Sequence, residues 1–271
     1  MPAPLLEIEN LSIAFGGLKA VQDFSLQLAP GDLQGLIGPN GAGKTTVFNL
    51  VTGVYRAPAH AVRLAGRPIG GLKPHQIAAA GIARTFQASR LFADLSVLDN
   101  VRIGAQLRTP SRLLGTVLRT SRQVGGERHI RAQCEALLET FGLARRRDEL
   151  ARNLPYGDRR RLEMARALAT GPQVVLLDEP AAGMNPPEKL ALRELIRTVR
   201  REFAVTILLI EHDMGVVMDI CEQITVLDYG VTIARGTPAE IQGNPRVIEA
   251  YLGTNTAAGD MRTAAGASAP V

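Results

Sequence analysis

Two short groups of residues in this chain have the types and spacing to handle a nucleotide. Gly38-Pro39-Asn40-Gly41-Ala42-Gly43-Lys44-Thr45 fits the pattern of a phosphate-binding loop, and it follows the apolar run Leu33 to Ile37. Glycines let such a loop curl so that successive N–H groups face phosphate oxygens at the positive end of the next helix. Lys44 would add a full charge at the β- and γ-phosphates, and the Thr45 hydroxyl would ligate Mg²⁺. The second group is Asp178-Glu179-Pro180, delivered by Val174-Val175-Leu176-Leu177. At the carboxyl end of a buried strand, Asp178 would hold the Mg²⁺ shell and Glu179 would orient or polarise the attacking water. An ordinary glycine turn could carry the glycines, and a solvated turn either acid singly. Four apolar residues ending in Asp-Glu-Pro are a poor match to a solvated turn.

Positioning these groups requires strands that end at one edge of a sheet. Leu5 to Ile8, Phe24 to Leu28 and Leu33 to Ile37 read as strands between Gly and Pro punctuation, and the pattern turns helical from Lys44 to Val51. Val62 to Leu64 and Ile82 to Phe86 read as strands flanking a helix at His75 to Ala80. Ser96 to Leu150 is expected to be a helical lobe, broken at Thr109 to Ser111 and at Gly125-Gly126. Then come a helix from Arg160, strand Val174 to Leu177, helix Pro187 to Glu202, strand Val205 to Ile210, helix Met214 to Cys221 and strand Ile224 to Leu227. Apolar strands alternating with helices indicate a parallel sheet covered on both faces.

Composition narrows the class. A chain of 271 residues, 46% hydrophobic and 21% charged, is long enough for one large core with a subordinate lobe. No run approaches the ~20 apolar residues that span a bilayer, and the first residues have no secretory pattern, so neither a membrane span nor export is expected. Cys134 and Cys221 show no metal-ligand or redox spacing. The formal charge of +5 comes from arginines scattered over many segments, since Lys19, Lys44, Lys73 and Lys189 are the only lysines. This reads as solvated surface and not as a nucleic-acid stripe.

A resemblance adds to this reading. Asn153-Leu154-Pro155-Tyr156-Gly157-Asp158-Arg159-Arg160-Arg161, between the loop and Asp178-Glu179, resembles the signature motif of ATP-binding cassettes. Gln87 matches the cassette's Q-loop glutamine, His212 in Glu211-His212-Asp213 its switch histidine, and Phe15 the aromatic that stacks on adenine. The resemblance covers about Leu5 to Gly253. It implies an α/β P-loop NTPase core with a mostly parallel sheet, an antiparallel β subdomain and an α-helical signature subdomain. It further implies ATP on Gly38 to Thr46, Mg²⁺ near Thr45, Gln87 and Asp178, and catalysis by Lys44, Glu179 and His212. In a head-to-tail dimer, Leu154, Pro155, Tyr156, Gly157 and Asp158 would act on the partner's ATP. The cassette is expected over residues 1–253, with the helical lobe at about 88–160 and a disordered tail at 254–271.

Ala181-Ala182-Gly183-Met184-Asn185-Pro186, Arg84-Thr85-Phe86-Gln87 with Arg90-Leu91-Phe92, and Asn244-Pro245 to Tyr251-Leu252-Gly253 resemble the ATPases of branched-chain amino-acid importers. Such systems pair two ATPase subunits, usually different, with two membrane permeases and a solute-binding protein, on the cytoplasmic face of the membrane. ATPases of urea or amide uptake and of lipopolysaccharide export are spelled much alike. A soluble cassette of translation or repair would carry two cassettes or a long coiled coil, and neither is present. A non-hydrolysing scaffold is disfavoured by Lys44, Glu179 and His212.

The chain departs from the family pattern at Pro155, Asp158, Asn185 and Ala59-His60-Ala61. Pro155 supplies neither N–H nor hydroxyl. A carboxylate at Asp158 either opposes a γ-phosphate, making that ATP site the weaker of two, or turns outward to Arg159, Arg160 or Arg161.

Overall fold

Buried β-branched and leucine runs alternate with amphipathic helices, and this alternation builds the main sheet of the computed structural model, which describes residues 3–85, 91–106 and 121–252. The strands are β1 (Leu6–Phe15), β2 (Leu18–Leu28), β3 (Leu33–Ile37), β4 (Val62–Leu64), β5 (Arg67–Pro68) and β6 (Ile82–Arg84), then β7 (Val174–Asp178), β8 (Thr206–Ile210), β9 (Gln223–Asp228) and β10 (Val231–Gly236). The helices are α1 (Lys44–Val51), α2 (Pro74–Ala80), α3 (Val97–Ala105), α4 (Ser121–Thr140), α5 (Tyr156–Ala169), α6 (Pro186–Phe203), α7 (Met214–Ile220), α8 (Pro238–Gln242) and α9 (Pro245–Leu252).

The main sheet has the order β10-β9-β3-β8-β7-β6, parallel except for β10, and a second, antiparallel sheet has the order β2-β1-β4-β5. Side chains of β7 alternate across the main sheet as a period of two demands. Val175 and Leu177 join a core with α3, α4, α5, α6 and α7, while Val174 and Leu176 join another with α1 and the antiparallel sheet. All five residues of β7 and of β8 are buried. Covering both faces explains why these strands read as unbroken apolar runs.

The parallel core, antiparallel subdomain and helical lobe agree with the fold expected from sequence, and three local expectations are corrected. Helix α4 runs straight through Gly125-Gly126, since each glycine weakens a helix by only ~1 kcal/mol and does not forbid it. Helix α5 begins at Tyr156, four residues before the expected Arg160, with Pro155 as its N-cap in an extended conformation. A helix's first turn has no carbonyl for its N–H groups, so a proline there loses no intrahelical bond. Strand β10 and helices α8 and α9 were not anticipated. β10 follows a two-residue hairpin at Tyr229 (φ 44°) and Gly230 (φ 79°), and a tyrosine is an uncommon residue for its first left-handed position. The expected break at Thr109 to Ser111, Gln87 and the expected tail all lie outside the described residues.

Two departures from the family spelling have plain structural answers. Asn185 caps α6, accepting from the Glu188 N–H at 3.0 Å while the Glu188 carboxylate accepts from the Asn185 N–H at 2.9 Å. Asparagine serves this capping box as well as aspartate would. Ala59 and His60 form an exposed turn in which Ala61 N–H donates to Pro58 carbonyl at 3.1 Å, and neither residue has a positive φ, so no glycine is required.

Candidate functional site

Three adjacent strands end together. β3 leads into the glycine loop, β8 into Glu211 and His212, and β7 into Asp178 and Glu179, with Leu36, Ile210 and Asp178 in register across the sheet. Ligand sites of parallel α/β sheets lie at this edge.

The loop keeps its curl through conformations that side chains would spoil. A Cβ on Gly38 (φ 148°) would strike the Leu227 carbonyl, and one on Gly43 (φ 103°) would lie 2.6 Å from the Ala20 carbonyl. Gly230 N–H donates to the Ala42 carbonyl at 3.0 Å, so the β9–β10 hairpin braces the loop from behind. Gly43 caps α1 without a side-chain bond, no acid occupies the first turn, and Val47 N–H is the first helical donor, bonding Gly43 carbonyl at 3.0 Å. The N–H groups of Lys44, Thr45 and Thr46 therefore have no carbonyl within the helix and stand at its positive end, a cradle suited to phosphate, while Ala42 N–H donates within the loop to the Pro39 carbonyl at 3.1 Å. Pro39, Asn40, Gly41 and Ala42 complete its rim, Thr45 is exposed and Thr46 half-buried.

Lys44 is 7% exposed and its Nζ donates to the carbonyls of Gly38 (2.6 Å) and Pro39 (2.9 Å). Burial lowers its pKa, and the charges of Glu179 and Asp178 partly restore it. Asp178 is buried too, and its Oδ2 accepts from Arg84 at 2.7 Å. Arg84 also donates to Asn49 at 2.8 Å and lies over the Phe48 ring. This arginine was singled out from sequence only as part of a spelling. Its pairing with Asp178 becomes visible once β6 is seen beside β7.

Glu179 sits at φ 48°, a left-handed conformation unusual for a residue with a side chain. Its N–H donates to the Ile210 carbonyl at 2.8 Å, and its carbonyl accepts from Ala182 N–H at 3.2 Å. Its Oε2 lies 3.9 Å from His212 Nδ1, and the histidine is 58% exposed. Glu211, fully buried, accepts from the N–H groups of Ala181 (2.6 Å), His212 (3.0 Å) and Asp213 (3.2 Å). Burial raises its pKa and those three donors pull it back. No motif marked Glu211 for attention.

Phe15 closes β1, is 44% exposed and meets the Tyr55 ring edge-on at 5.0 Å. The hard oxygen donors Thr45 and Asp178 suit Mg²⁺, which relies on few protein ligands plus phosphate and water. Among the described residues no group of three or more His, Cys, Asp or Glu forms a metal cage.

The signature residues lie apart from this loop within the chain. Leu154 is buried, Pro155 and Tyr156 open α5, and Tyr156 OH donates to the Ala182 carbonyl at 2.8 Å. Gly157 and Asp158 follow in the first turn. Asp158 pairs with Arg146 at 3.4 Å and Arg161 at 3.6 Å, which is the outward, arginine-paired arrangement. Arg159 instead donates to the Leu154 carbonyl, and Arg160 pairs with Glu163 at 3.0 Å.

A second concavity of about 700 Å³ opens between the main core and the helical lobe, lined by Val54, Ile77, Phe92, Ile103, Glu163 and Arg166 among others. Its rim loop is fixed by the buried Asn100, which exchanges hydrogen bonds with the Phe92 N–H (2.9 Å) and carbonyl (3.0 Å).

Comparison with known proteins agrees with this geometry. Residues 21–182 match the family described as ABC transporter, and residues 231–257 match that described as branched-chain amino acid ATP-binding cassette transporter. The chain is 46% identical over 259 residues to the high-affinity branched-chain amino acid transport ATP-binding protein LivG of Salmonella typhimurium, covering 93% of this chain and 99% of that one. It is 43% identical over 253 residues to BraF of Pseudomonas aeruginosa (93% and 99%), a protein with the same description, and 33% identical over 252 residues to the lipopolysaccharide export system ATP-binding protein LptB of Haemophilus influenzae (92% and 97%). Among solved structures, the ADP conformation of an ATP-binding cassette of an ABC transporter superposes with a TM-score of 0.80 at 29% identity, over 93% of this chain and 99% of that one. The chain belongs to the ABC transporter family, as one of its ATP-binding, ATP-hydrolysing subunits.

Proposed function

We propose that this chain is the ATPase of an importer of branched-chain amino acids, seated peripherally on the cytoplasmic face of the membrane. The observation that carries this reading is likeness to LivG and BraF along nearly the whole chain, extended by the family match at residues 231–257. Identity to the lipopolysaccharide exporter's ATPase is lower, 33% against 46%, which favours import. Nothing in the reading calls for nucleic acid.

The residue roles are those that the cassette resemblance implies. The loop Gly38 to Gly43 and the N–H groups of the first turn of α1 through Thr46 cradle the phosphates, Lys44 neutralises them, and Phe15 takes the adenine. Thr45, Asp178 and, by the family resemblance, Gln87 would hold Mg²⁺, which would supply charge neutralisation at the phosphates. Glu179 receives a proton from the attacking water, and His212 contacts the γ-phosphate. Leu154 to Asp158 complete the ATP site of a second ATPase subunit, in a heterodimer or homodimer. Because Asp158 is already neutralised by Arg146 and Arg161, its charge gives little reason for the two sites to be unequal. The cassette spans 1–253 with its lobe at about 88–160.

The groove beside Phe92 is where a permease would lever the lobe, with the solute-binding protein acting through that permease. Apolar lining and a rim fixed by Asn100 suit a short amphipathic segment. A cysteine at Phe92 or Ile103 is expected to crosslink to a co-expressed permease, and both native cysteines are buried, so background should be low. Crosslinks formed only from surface controls elsewhere would place the permease on another face.

A further inference from the structure

We infer that Glu211 is a positioning residue for hydrolysis, tying the turn that follows Glu179 to the loop that carries His212. This rests on the ATPase assignment and adds a residue to it.

The geometry is that of a staple. One carboxylate oxygen, Oε1, accepts from Ala181 N–H at 2.6 Å, two residues after Glu179. The other, Oε2, accepts from His212 and Asp213 N–H at 3.0 and 3.2 Å. The side chain is wholly buried, and charge-assisted bonds in such a place are strong and costly to leave unmade. Both segments need a tether. Glu179 holds a left-handed backbone, which persists only when its surroundings over-determine it. On one side the Ile210 carbonyl holds its N–H at 2.8 Å, and on the other the turn is anchored through Ala181 to Glu211. The His212 side chain is mostly exposed, and its Nδ1 lies 3.8 Å from Glu211 Oε2 and 3.9 Å from Glu179 Oε2, so the carboxylate that anchors its backbone also stands beside the ring. Movement of the Ala181 turn, which also accepts the Tyr156 hydroxyl at Ala182, would reach His212 through this one carboxylate. A glutamate on β8's end thereby couples the signature helix, the water-polarising acid and the switch histidine within a single subunit.

The test is Glu211→Gln in the full-length chain. Glutamine keeps the volume but offers its carbonyl to one side only and sets an NH₂ donor against the N–H groups of the other. We expect kcat for ATP to fall about tenfold or more with KM near the parent's, while the melting temperature falls because buried N–H groups lose their acceptor but the protein stays folded. In a His212→Ala background the same change should cost less than threefold further, since it acts partly through that ring. A kcat within twofold of the parent, or a full and independent loss in the His212→Ala background, would overturn the inference. Should Glu211→Gln fail to fold, Glu211→Asp, which retracts the carboxylate by one methylene, carries the same expectation of lowered kcat at unchanged KM, and parent-like turnover overturns it. Lys44→Ala is run alongside, and a parent rate no higher than its rate would count against the ATPase assignment and not against the staple alone.

Discussion

Glu179→Gln is expected to keep MgATP binding and lose turnover by about 10²–10⁴-fold, the usual worth of a positioned general base. The amide preserves the side chain's size at the end of β7 and removes only its basicity. Since Glu179 acts as water attacks, its loss should fall on kcat and spare affinity. The backbone that presents it, with N–H on the Ile210 carbonyl at 2.8 Å, is untouched by the change. ATP held without being cleaved should also keep two subunits closed around it, visible as a nucleotide-dependent doubling of mass by light scattering. Turnover within a few fold of the parent would remove Glu179 from its role.

Lys44→Ala is expected to act on the opposite parameter. Its ammonium is the one full positive charge that the glycine loop itself carries, and hydrogen bonds to charged groups are worth about 1.5–3 kcal/mol each. Losing contacts to two phosphates should weaken ATP binding by about 10²-fold or more. The Lys44 bonds to the Gly38 and Pro39 carbonyls disappear as well, so a melting curve should accompany the titration. Nearly parental affinity of a folded Lys44→Ala protein, measured by calorimetry, would mean that the phosphates lie elsewhere. The contrast between the variants separates ground-state charge from transition-state chemistry.

The parts of this site legible in the sequence are those whose local pattern and chemistry coincide. Leu33 to Ile37 followed by glycines and a helix could be read because strand, turn and helix each leave a local mark, and β3 and α1 have the expected bounds. Val174 to Leu177 announced a strand with acids at its end for the same reason. Where the determining contact is distant in sequence, the pattern was silent. Arg84 meets Asp178 across a strand pair formed 94 residues apart, and Asp158 meets Arg146 through the turn before α5. Glu211 looked like a spelling neighbour of His212, although its partner Ala181 lies 30 residues away. The start of α5 was misplaced because Pro155 and Gly157 resemble loop punctuation. As an N-cap and a first-turn residue they do not disturb the helix.

The central claim is that ATP hydrolysis on this chain drives uptake of branched-chain amino acids. It is tested most directly by disrupting the gene in its own host and measuring entry of radiolabelled leucine at low external concentration. The account predicts that uptake falls sharply, returns with the parent chain and does not return with Glu179→Gln. Undiminished leucine uptake after disruption, or equal rescue by Glu179→Gln, would contradict it.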